Sequence, residues 1–293
     1  MALSSLQLEA FLAVSRTQNF TQAAEALHIT QSALSQRIKN LEEELGATLF
    51  SRDPSGAKTT EVGQRLLRFC QAREGLEIEF LEQMKSKGPG DLRGTIRIAG
   101  YSSINRSLVL PALQSLTSKH EFLQIDLITA ELFEIPQLLT SGRADFVFTN
   151  ETVSRAGVIT KLIGHERNVV IESSVKSISP AIYLDQHERD TATFEYFKFI
   201  NRKLPKEFRR SFVGNIDSIL TGVELGMGRA VAPRHLLKSN PKIEVVKGFD
   251  EQRIPVYLTH FEQPYYTEIH QAFVSTLEKK LAPILKSSGS SKA

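Results

Sequence analysis

The feature that most constrains the fold is a run of regularly spaced aliphatic residues near the N-terminus. They follow one another at intervals of four, three and four positions, at Leu34, Ile38, Leu41 and Leu45. Side chains at these intervals share one face of an α-helix, so the pattern predicts a helix over residues 31–45 with this face turned inward. Gly46 follows directly and is predicted to end it.

A second short helix is predicted just upstream, with Thr21 as its N-cap and a turn over residues 28–30. The face of the 31–45 helix opposite its aliphatic residues is polar, and its polar residues are Gln31, Ser32, Ser35, Gln36 and Lys39, with Arg37 alongside. Two helices joined by so short a turn, the second with a polar outer face, are typical of a helix-turn-helix that reads a DNA major groove. A generic amphipathic helical unit for protein contacts is the alternative.

A two-stranded wing is predicted to follow the helices. Residues 49–52 and 58–60 have strand character and flank a segment, 53–57, that contains Pro54 and Gly56. The basic side chains at Arg52 and Lys58 are then placed to contact phosphates.

The charge distribution does not favour DNA binding by itself. Residues 1–92 hold ten Lys and Arg against twelve Asp and Glu, although the whole chain has a net charge of +3. A DNA-binding domain usually carries a basic surface, so the prediction of DNA binding depends on the motif and not on composition.

A long helix is predicted to come next, before a Gly-Pro-Gly break within residues 85–91. Its heptad a and d positions include the apolar residues Val62, Leu66, Phe69, Leu76 and Phe80, interrupted by Arg73 and Gln83. Such a stripe predicts a seam between two helices of a dimer, and a helix that folds back on its own domain is the alternative. Cys70 lies beside the stripe and is predicted to pack there.

Short strands alternate with helical stretches over the rest of the chain, which predicts an α/β domain with mainly parallel strands. Ser102 and Ser103 follow the first strand and open a helix. Free N–H groups at a helix start attract anions, so an anionic ligand fits this point best. Simple helix capping by the two serines is the alternative.

The residues from 19 to 42 resemble the signature of the LysR-type transcriptional regulators, and residues 45–52 and 59–63 continue the resemblance in register. The match covers about sixty residues without a gap and is highly specific. It implies a winged helix-turn-helix, a linker helix, and a two-lobed α/β effector domain similar in fold to periplasmic solute-binding proteins.

The resemblance also implies boundaries and roles. The DNA-binding domain would span 1–60 with its helix-turn-helix at 21–40, the dimerisation helix 61–90, and the effector domain 91–293. Lobe I would comprise 91–162 and 267–293 and lobe II 163–266, with crossing strands near 161–166 and 261–267. DNA contacts would come from Thr21, Gln31, Ser32, Ser35, Gln36, Arg37, Lys39, Arg52 and Lys58. The effector would lie between the lobes, at Ser102, Ser103, Thr149, Asn150, Asp217 and Ser218.

The partners that the resemblance implies are double-stranded DNA with a pseudo-palindromic promoter site, a small-molecule effector, RNA polymerase, and a second copy of the chain. A dimer that assembles into a tetramer is common in the family. No cofactor is implied.

Other functions find little support. The seven histidines show no metal-ligand spacing, and the pairs His165–Glu166 and His187–Glu188 are interpreted as solvated surface. No nucleophile elbow or phosphate loop occurs, which leaves an enzyme with a regulatory appendage as a weak alternative. A solute carrier is the other alternative. One cysteine, no apolar run long enough for a membrane and no secretory signal predict a cytoplasmic protein.

Overall fold

A computed structural model describes residues 3–53, 56–85, 92–237, 240–263 and 265–286. Helices come first and an α/β arrangement follows. The helices are α1 (Ser5–Thr17), α2 (Phe20–Ala26), α3 (Gln31–Leu45), α4 (Glu61–Lys85), α5 (Ser102–Ile104), α6 (Leu110–Thr117), α7 (Ile135–Thr140), α8 (Ala192–Phe199), α9 (Ile216–Glu224), α10 (Glu268–Lys280) and α11 (Ala282–Lys286). The strands are β1 (Phe50–Asp53), β2 (Gly56–Thr59), β3 (Gly94–Gly100), β4 (Leu123–Thr129), β5 (Phe146–Thr149), β6 (Val158–Ser173), β7 (Ile182–Asp185), β8 (Arg209–Phe212), β9 (Ala230–Pro233), β10 (Ile243–Val245) and β11 (Gln252–Phe261). A π-helical turn, Asn105–Val109, joins α5 to α6, and a 3₁₀ turn spans Arg234–Leu237.

The chain forms two compact units. The first contains residues 1–100, 113–160 and 258–276, and the second contains 101–112, 161–257 and 277–293. Two strands, β6 and β11, pass from one unit into the other. The lobe and domain boundaries given above are a different division of the chain and stay predictions.

The helix-turn-helix has a closed apolar core in the first unit. Leu34, Ile38 and Leu41 of α3 are buried against Phe11 and Val14 of α1. The predicted helix over 31–45 is confirmed, and Gly46 ends it in the left-handed conformation with φ of 63°. Leu45 is the exception on the aliphatic face, because at the last turn it is 37% exposed.

The N-cap of α2 is Asn19, and the prediction that Thr21 caps this helix is wrong. The Asn19 side chain accepts hydrogen bonds from the backbone N–H groups of Thr21, at 2.9 Å, and Gln22, at 3.2 Å. Thr21 therefore lies inside the first turn. Thr30 caps α3 in the same way, since its hydroxyl oxygen accepts from the N–H of Ala33 at 3.2 Å. These caps bind N–H groups that have no partner within a helix.

The wing is an antiparallel hairpin, β1–β2, in which Phe50 pairs with Thr59 and Asp53 with Gly56. Its second strand begins two residues earlier than predicted, and positions 54–55 of the predicted tip lie outside the described residues. The start of β2 closely approaches Gln18, the C-cap of α1. A side chain at Gly56 (φ +123°) would lie 2.5 Å from the carbonyl oxygen of Gln18, which accepts the N–H of Ala57 at 2.9 Å.

The first half of α4 packs on the DNA-binding core. Leu66, Leu67 and Cys70 belong to the same apolar cluster as α1 and α3. The prediction that Leu66 lies in the dimer seam is therefore wrong, because its side chain is only 7% exposed and is covered within its own domain. The alternative of a helix that folds back holds for this half of α4.

Each unit contains part of the β-structure. In the first unit the strand order is β11-β5-β3-β4, and β3 is parallel to β4 and β5, as predicted for an α/β domain. In the second unit β6 lies between β10 and β11 and also pairs with β9. Its pairs with β9 and β10 are antiparallel, whereas β7 and β8 are parallel, so the second unit is mixed and the expectation of mainly parallel strands holds there only in part. The crossing strand predicted near 261–267 lies earlier in the chain, because β11 passes between the units at residues 257–258 and ends at Phe261.

The cap of α2 gives a stability prediction. Asn19→Ala should remove the acceptor for two N–H groups and destabilise α2 by about 0.5–2 kcal/mol, whereas Asn19→Asp should retain most of the cap. Hydrogen exchange of the α2 amides, measured by mass spectrometry on the full chain, should be faster in the first variant only. Equal exchange in both variants would show that the Asn19 side chain does not hold the helix.

Candidate nucleic-acid interface and effector-binding region

The outer face of α3 presents polar side chains to solvent. Those of Gln31, Ser32, Ser35, Gln36 and Lys39 are exposed, and Arg37 is half-buried. Three of them contact neighbours within α3 or its cap. Ser32 lies 3.0 Å from the Thr30 hydroxyl, Gln36 donates to Asn40 at 2.7 Å, and Lys39 is 3.6 Å from Glu43. Such local bonds on an exposed helix are weak, so these side chains can exchange them for base edges or phosphates.

The wing is attached to α3 by Glu42, which was not among the predicted site residues. Glu42 of α3 accepts the backbone N–H of Leu49 at 2.6 Å and that of Phe50 at 3.4 Å. This carboxylate holds the first wing strand against the helix. Lys58 is exposed on β2 opposite Ser51, and Arg52 occupies β1 opposite Ala57. The sequence offered one signal for this role, which is that Glu42 directly follows Leu41, the last buried residue of α3.

Five exposed apolar residues of α4 form a stripe along one side of the helix, and a sixth, Leu81, lies off it. The stripe residues follow one another at intervals of seven, seven, four and four positions, at Val62, Phe69, Leu76, Phe80 and Met84. Phe80 is 61% exposed, and Phe69 is 50% exposed. The remaining predicted seam residues thus lie on one open face, whereas Gln83 has no described side chain. An exposed apolar stripe of this kind, even with Arg73 between Phe69 and Leu76, suits a second helix of the same kind.

Cys70 packs in the core as predicted. Burial raises the pKa of its thiol to about 12, with the opposing effect of Arg73 second in size. A thiol that stays protonated at neutral pH is a poor nucleophile, so Cys70 is structural.

A buried polar cluster in the second unit contains one predicted effector residue, Ser103. The carboxylate of Glu166 on β6 accepts hydrogen bonds from the Tyr101 hydroxyl, at 2.9 Å, and from the Ser103 hydroxyl, also at 2.9 Å. The Nε2 atom of His235 lies 2.7 Å from the same carboxylate, and its Nδ1 lies 2.6 Å from the hydroxyl of Ser107. We refer to Tyr101, Ser103, Ser107, Glu166 and His235 as the Glu166 cluster.

The interpretation of His165–Glu166 as solvated surface is wrong for Glu166. Its side chain is 5% exposed and that of His235 is 6% exposed. A carboxylate can be buried there because three donors compensate for the water it loses. Burial, followed by the nearby Glu166 carboxylate, raises the pKa of Tyr101 well above its ordinary value, so the phenol stays a donor. The pair His187–Glu188 is exposed, as predicted.

Helix capping by the two serines is not observed. Tyr101 occupies the N-cap position of α5, and Ser102 and Ser103 lie inside the helix. Because the Ser103 hydroxyl donates to Glu166, it cannot at the same time donate to an anion. Ser102 is half-buried, and unlike Ser103 it does not belong to the Glu166 cluster.

The other predicted effector residues divide between the units. In the second unit, Asp217 forms an ion pair with Arg106 at 2.6 Å, and the N–H of Ser218 donates to Asn215, the N-cap of α9, at 2.9 Å. In the first unit, Thr149 is buried and its hydroxyl donates to the carbonyl of Glu151 at 2.8 Å, while Asn150 is half-buried. Arg106 and Asn215 were not predicted, because no local sequence pattern marks a long-range ion pair.

Within the ranges that the structure describes, no group of three or more His, Cys, Asp or Glu could hold a metal ion. Over the same ranges no helix is both long and apolar enough to cross a membrane.

Two family models match this chain. Residues 6–64 match the lysR family of bacterial regulatory helix-turn-helix proteins, and residues 89–282 match the LysR substrate binding domain. The second match alone covers more than half of the chain. The protein belongs to the LysR family, and it is a DNA-binding transcriptional regulator with an effector-binding domain.

Its relatives are transcriptional regulators. The chain is 24% identical over 248 residues to the transcriptional activator IlvY of Salmonella typhimurium, which covers 80% of this chain and 84% of IlvY. It is 32% identical over 159 residues to the regulator HdfR of Yersinia enterocolitica, across 54% of this chain and 53% of HdfR.

Two solved structures share the fold over most of this chain. ArgP from Mycobacterium tuberculosis aligns with a TM-score of 0.69 at 22% identity, over 95% of this chain and 97% of ArgP. LysG from Corynebacterium glutamicum with bound effector Arg aligns with a TM-score of 0.70 at 19% identity, over 96% of this chain and 98% of LysG. These similarities support the α/β effector domain joined to a helix-turn-helix.

The stripe on α4 gives a prediction about assembly. Phe80→Ala should remove a large apolar side chain from each helix of the seam and weaken the dimer by about 3–5 kcal/mol. Sedimentation at low micromolar concentration should then show monomer. Leu81→Ala is the matched control, because Leu81 is also exposed but lies off the stripe. An unchanged oligomer in Phe80→Ala would show that α4 does not form the main seam.

Proposed function

We propose that this protein is a cytoplasmic regulator that reads a pseudo-palindromic promoter site as a dimer and responds to a small effector. The observation that best supports DNA recognition is that α3 has one aliphatic face and one polar face. Its aliphatic face is buried, which turns the polar residues Gln31, Ser32, Ser35 and Gln36 outward together. A helix in this position can enter a major groove, where each base pair presents a distinct pattern of donors and acceptors.

The predicted DNA contacts fall into two classes. Gln31, Ser32, Ser35 and Gln36 are proposed to contact base edges, because amide and hydroxyl groups can both donate and accept. Phosphate contacts are proposed for Thr21, Arg37, Lys39, Arg52 and Lys58. Phosphate contacts fix the position of the protein, and base contacts carry the sequence information.

The proposed assembly follows from the apolar stripe on α4. Two copies that join their stripes would hold two α3 helices for two half-sites, whose spacing then depends on the length of α4. Pairs of such dimers would form a tetramer, and RNA polymerase is the proposed partner at the promoter. A solute carrier does not account for the helix-turn-helix, an enzyme finds no nucleophile elbow or phosphate loop in the sequence, and the relatives are transcriptional regulators.

The effector is proposed to bind between lobe I and lobe II. Ser102, Thr149, Asn150, Asp217 and Ser218 would contact it. The Glu166 cluster supports a different role for Ser103, which is to fix the start of α5 so that Ser102 has one position. An anionic group remains the proposed partner of Ser102, because the first-turn N–H groups of a helix favour negative charge.

The division between base and phosphate contacts can be tested. Gln31→Ala or Ser35→Ala should each weaken binding to the operator by about 1–3 kcal/mol and leave non-specific binding nearly unchanged. Arg52→Ala should weaken both and lower the slope of log K against log salt by about one unit. Gel shifts on the upstream DNA and on a random duplex over a salt series measure all three values.

Glu9→Gln is the control, because Glu9 is exposed on α1 and lies outside the α3 face and the wing. It should change neither affinity by more than about twofold. If Gln31→Ala weakened binding to both duplexes equally, the orientation assigned to α3 would be wrong.

The effector site is tested separately. Ser102→Leu should fill the site at the start of α5, so the variant should bind its operator with unchanged affinity and ignore the effector. Thermal shifts with a panel of amino acids and small organic acids would first identify an effector for the wild-type chain. A Ser102→Leu variant that responds normally would contradict the assignment, and loss of operator binding would point to misfolding.

A further inference from the structure

The second unit contains a pocket that is distinct from the proposed effector site. It has a volume of about 370 Å³, and its described lining consists of His165, Arg167, Arg234, His235, Leu237, Ile243, Val245, Ile284 and Leu285. None of the predicted effector residues lines it. Its volume lies in the range of small-molecule pockets, about 300–1,000 Å³.

The walls of this pocket differ in chemistry. Part of its lining is basic, with two arginines and two histidines from β6 and the 3₁₀ turn that follows β9. The rest of the described lining is aliphatic, with Leu237 from the same turn, Ile243 and Val245 from β10, and Ile284 and Leu285 from α11. Among its described lining residues there is no carboxylate. A molecule with an apolar body and one anionic end would match both parts of the lining.

The basic part of the lining is held in place before any ligand binds. Glu251, which does not line the pocket, lies 2.6 Å from Arg234 and 3.4 Å from Arg167. One carboxylate thus orients two guanidinium groups. A guanidinium has five N–H donors in a fixed plane, so an arginine bound to one carboxylate can still donate to another.

His235 is fixed as well. Its two ring nitrogens lie 2.6 Å from Ser107 and 2.7 Å from Glu166, so the ring cannot turn without breaking both hydrogen bonds. The Arg167 side chain is only 19% exposed, so its charge faces the protein interior more than bulk water. Preorganised and partly desolvated donors reduce the cost of binding an anion.

We propose that this pocket is a second ligand site, which binds a small carboxylate with an apolar body of about six to ten carbon atoms. The carboxylate would accept hydrogen bonds from Arg167 and Arg234, and the aliphatic part of the lining would cover the hydrocarbon. The proposal does not depend on the effector site at Ser102, and its test separates the two.

The test is isothermal titration of the full chain with cyclohexanecarboxylate. Cyclohexanecarboxamide keeps the body without the charge, and inorganic phosphate keeps a charge without the body. The acid should bind with saturation below about 10 mM, and at least about tenfold more tightly than either comparison compound. No saturation with the acid, or equal binding of the amide or of phosphate, would overturn the proposal.

Variants locate the site. Arg167→Met and Arg234→Met should each weaken binding of the acid by about tenfold or more, while Arg209→Met, an exposed arginine on β8, should change it by less than about twofold. Val245→Phe should abolish binding with both arginines intact, because the ring occupies the pocket. An unchanged circular dichroism spectrum and unfolding temperature of each variant show that it is folded.

Ser102→Leu distinguishes this pocket from the effector site. Binding of cyclohexanecarboxylate should persist in that variant, even where its response to the effector is lost. If Ser102→Leu abolished binding of the acid and the arginine variants did not, the acid would be an effector-site ligand and the second site would be disproved.

Discussion

The DNA-binding part of the molecule depends on the burial of the aliphatic face of α3. Leu34, Ile38 and Leu41 are almost fully removed from water, and burial of each such side chain contributes about 1.5–3 kcal/mol. That burial determines which way the polar residues point. It also positions Glu42, whose carboxylate holds the wing, and closes the core on which the first half of α4 packs. The recognition face, the wing and the base of the linker helix therefore share one core.

A different constraint organises the second unit. Glu166 places a carboxylate where water is nearly absent, and three donors from the start of α5 and from the 3₁₀ turn satisfy it. A buried carboxylate that loses a donor is costly, commonly by about 1–3 kcal/mol. The Glu166 cluster consequently fixes the positions of the segments that carry Ser102, Ser107 and His235. The same ring of His235 forms part of the pocket proposed for a second ligand.

Local patterns predicted the parts of the fold that local interactions determine. The helical spacing of Leu34, Ile38 and Leu41 predicted α3, and Gly46 its end, because both signals depend on residues close in sequence. Prediction failed where distant residues decide. Leu66 fits a heptad position, but the core of α1 and α3 covers it. Glu166 looks like a surface residue until Tyr101 and Ser103 are brought to it by the fold, from more than sixty positions away.

The candidate site residues could likewise be predicted only where residues close in sequence determine their positions. The polar face of α3 could be predicted as a set, since one helix presents it. The cap of α2 was assigned to Thr21 because a helix start can shift by two residues, and Asn19 is an equally good cap. The partners of Asp217 and Thr149 could not be predicted, because an ion pair with Arg106 and a bond to the Glu151 carbonyl leave no periodic signal.

The central claim is that two copies of α3 read two related half-sites. Hydroxyl-radical footprinting of the full chain on its upstream DNA tests this most directly. We expect two protected half-sites related by an approximate two-fold axis, with centres separated by a whole number of helical turns of about 10–10.5 base pairs. Protection of a single site without a symmetry-related partner, or uniform protection of any duplex, would contradict it.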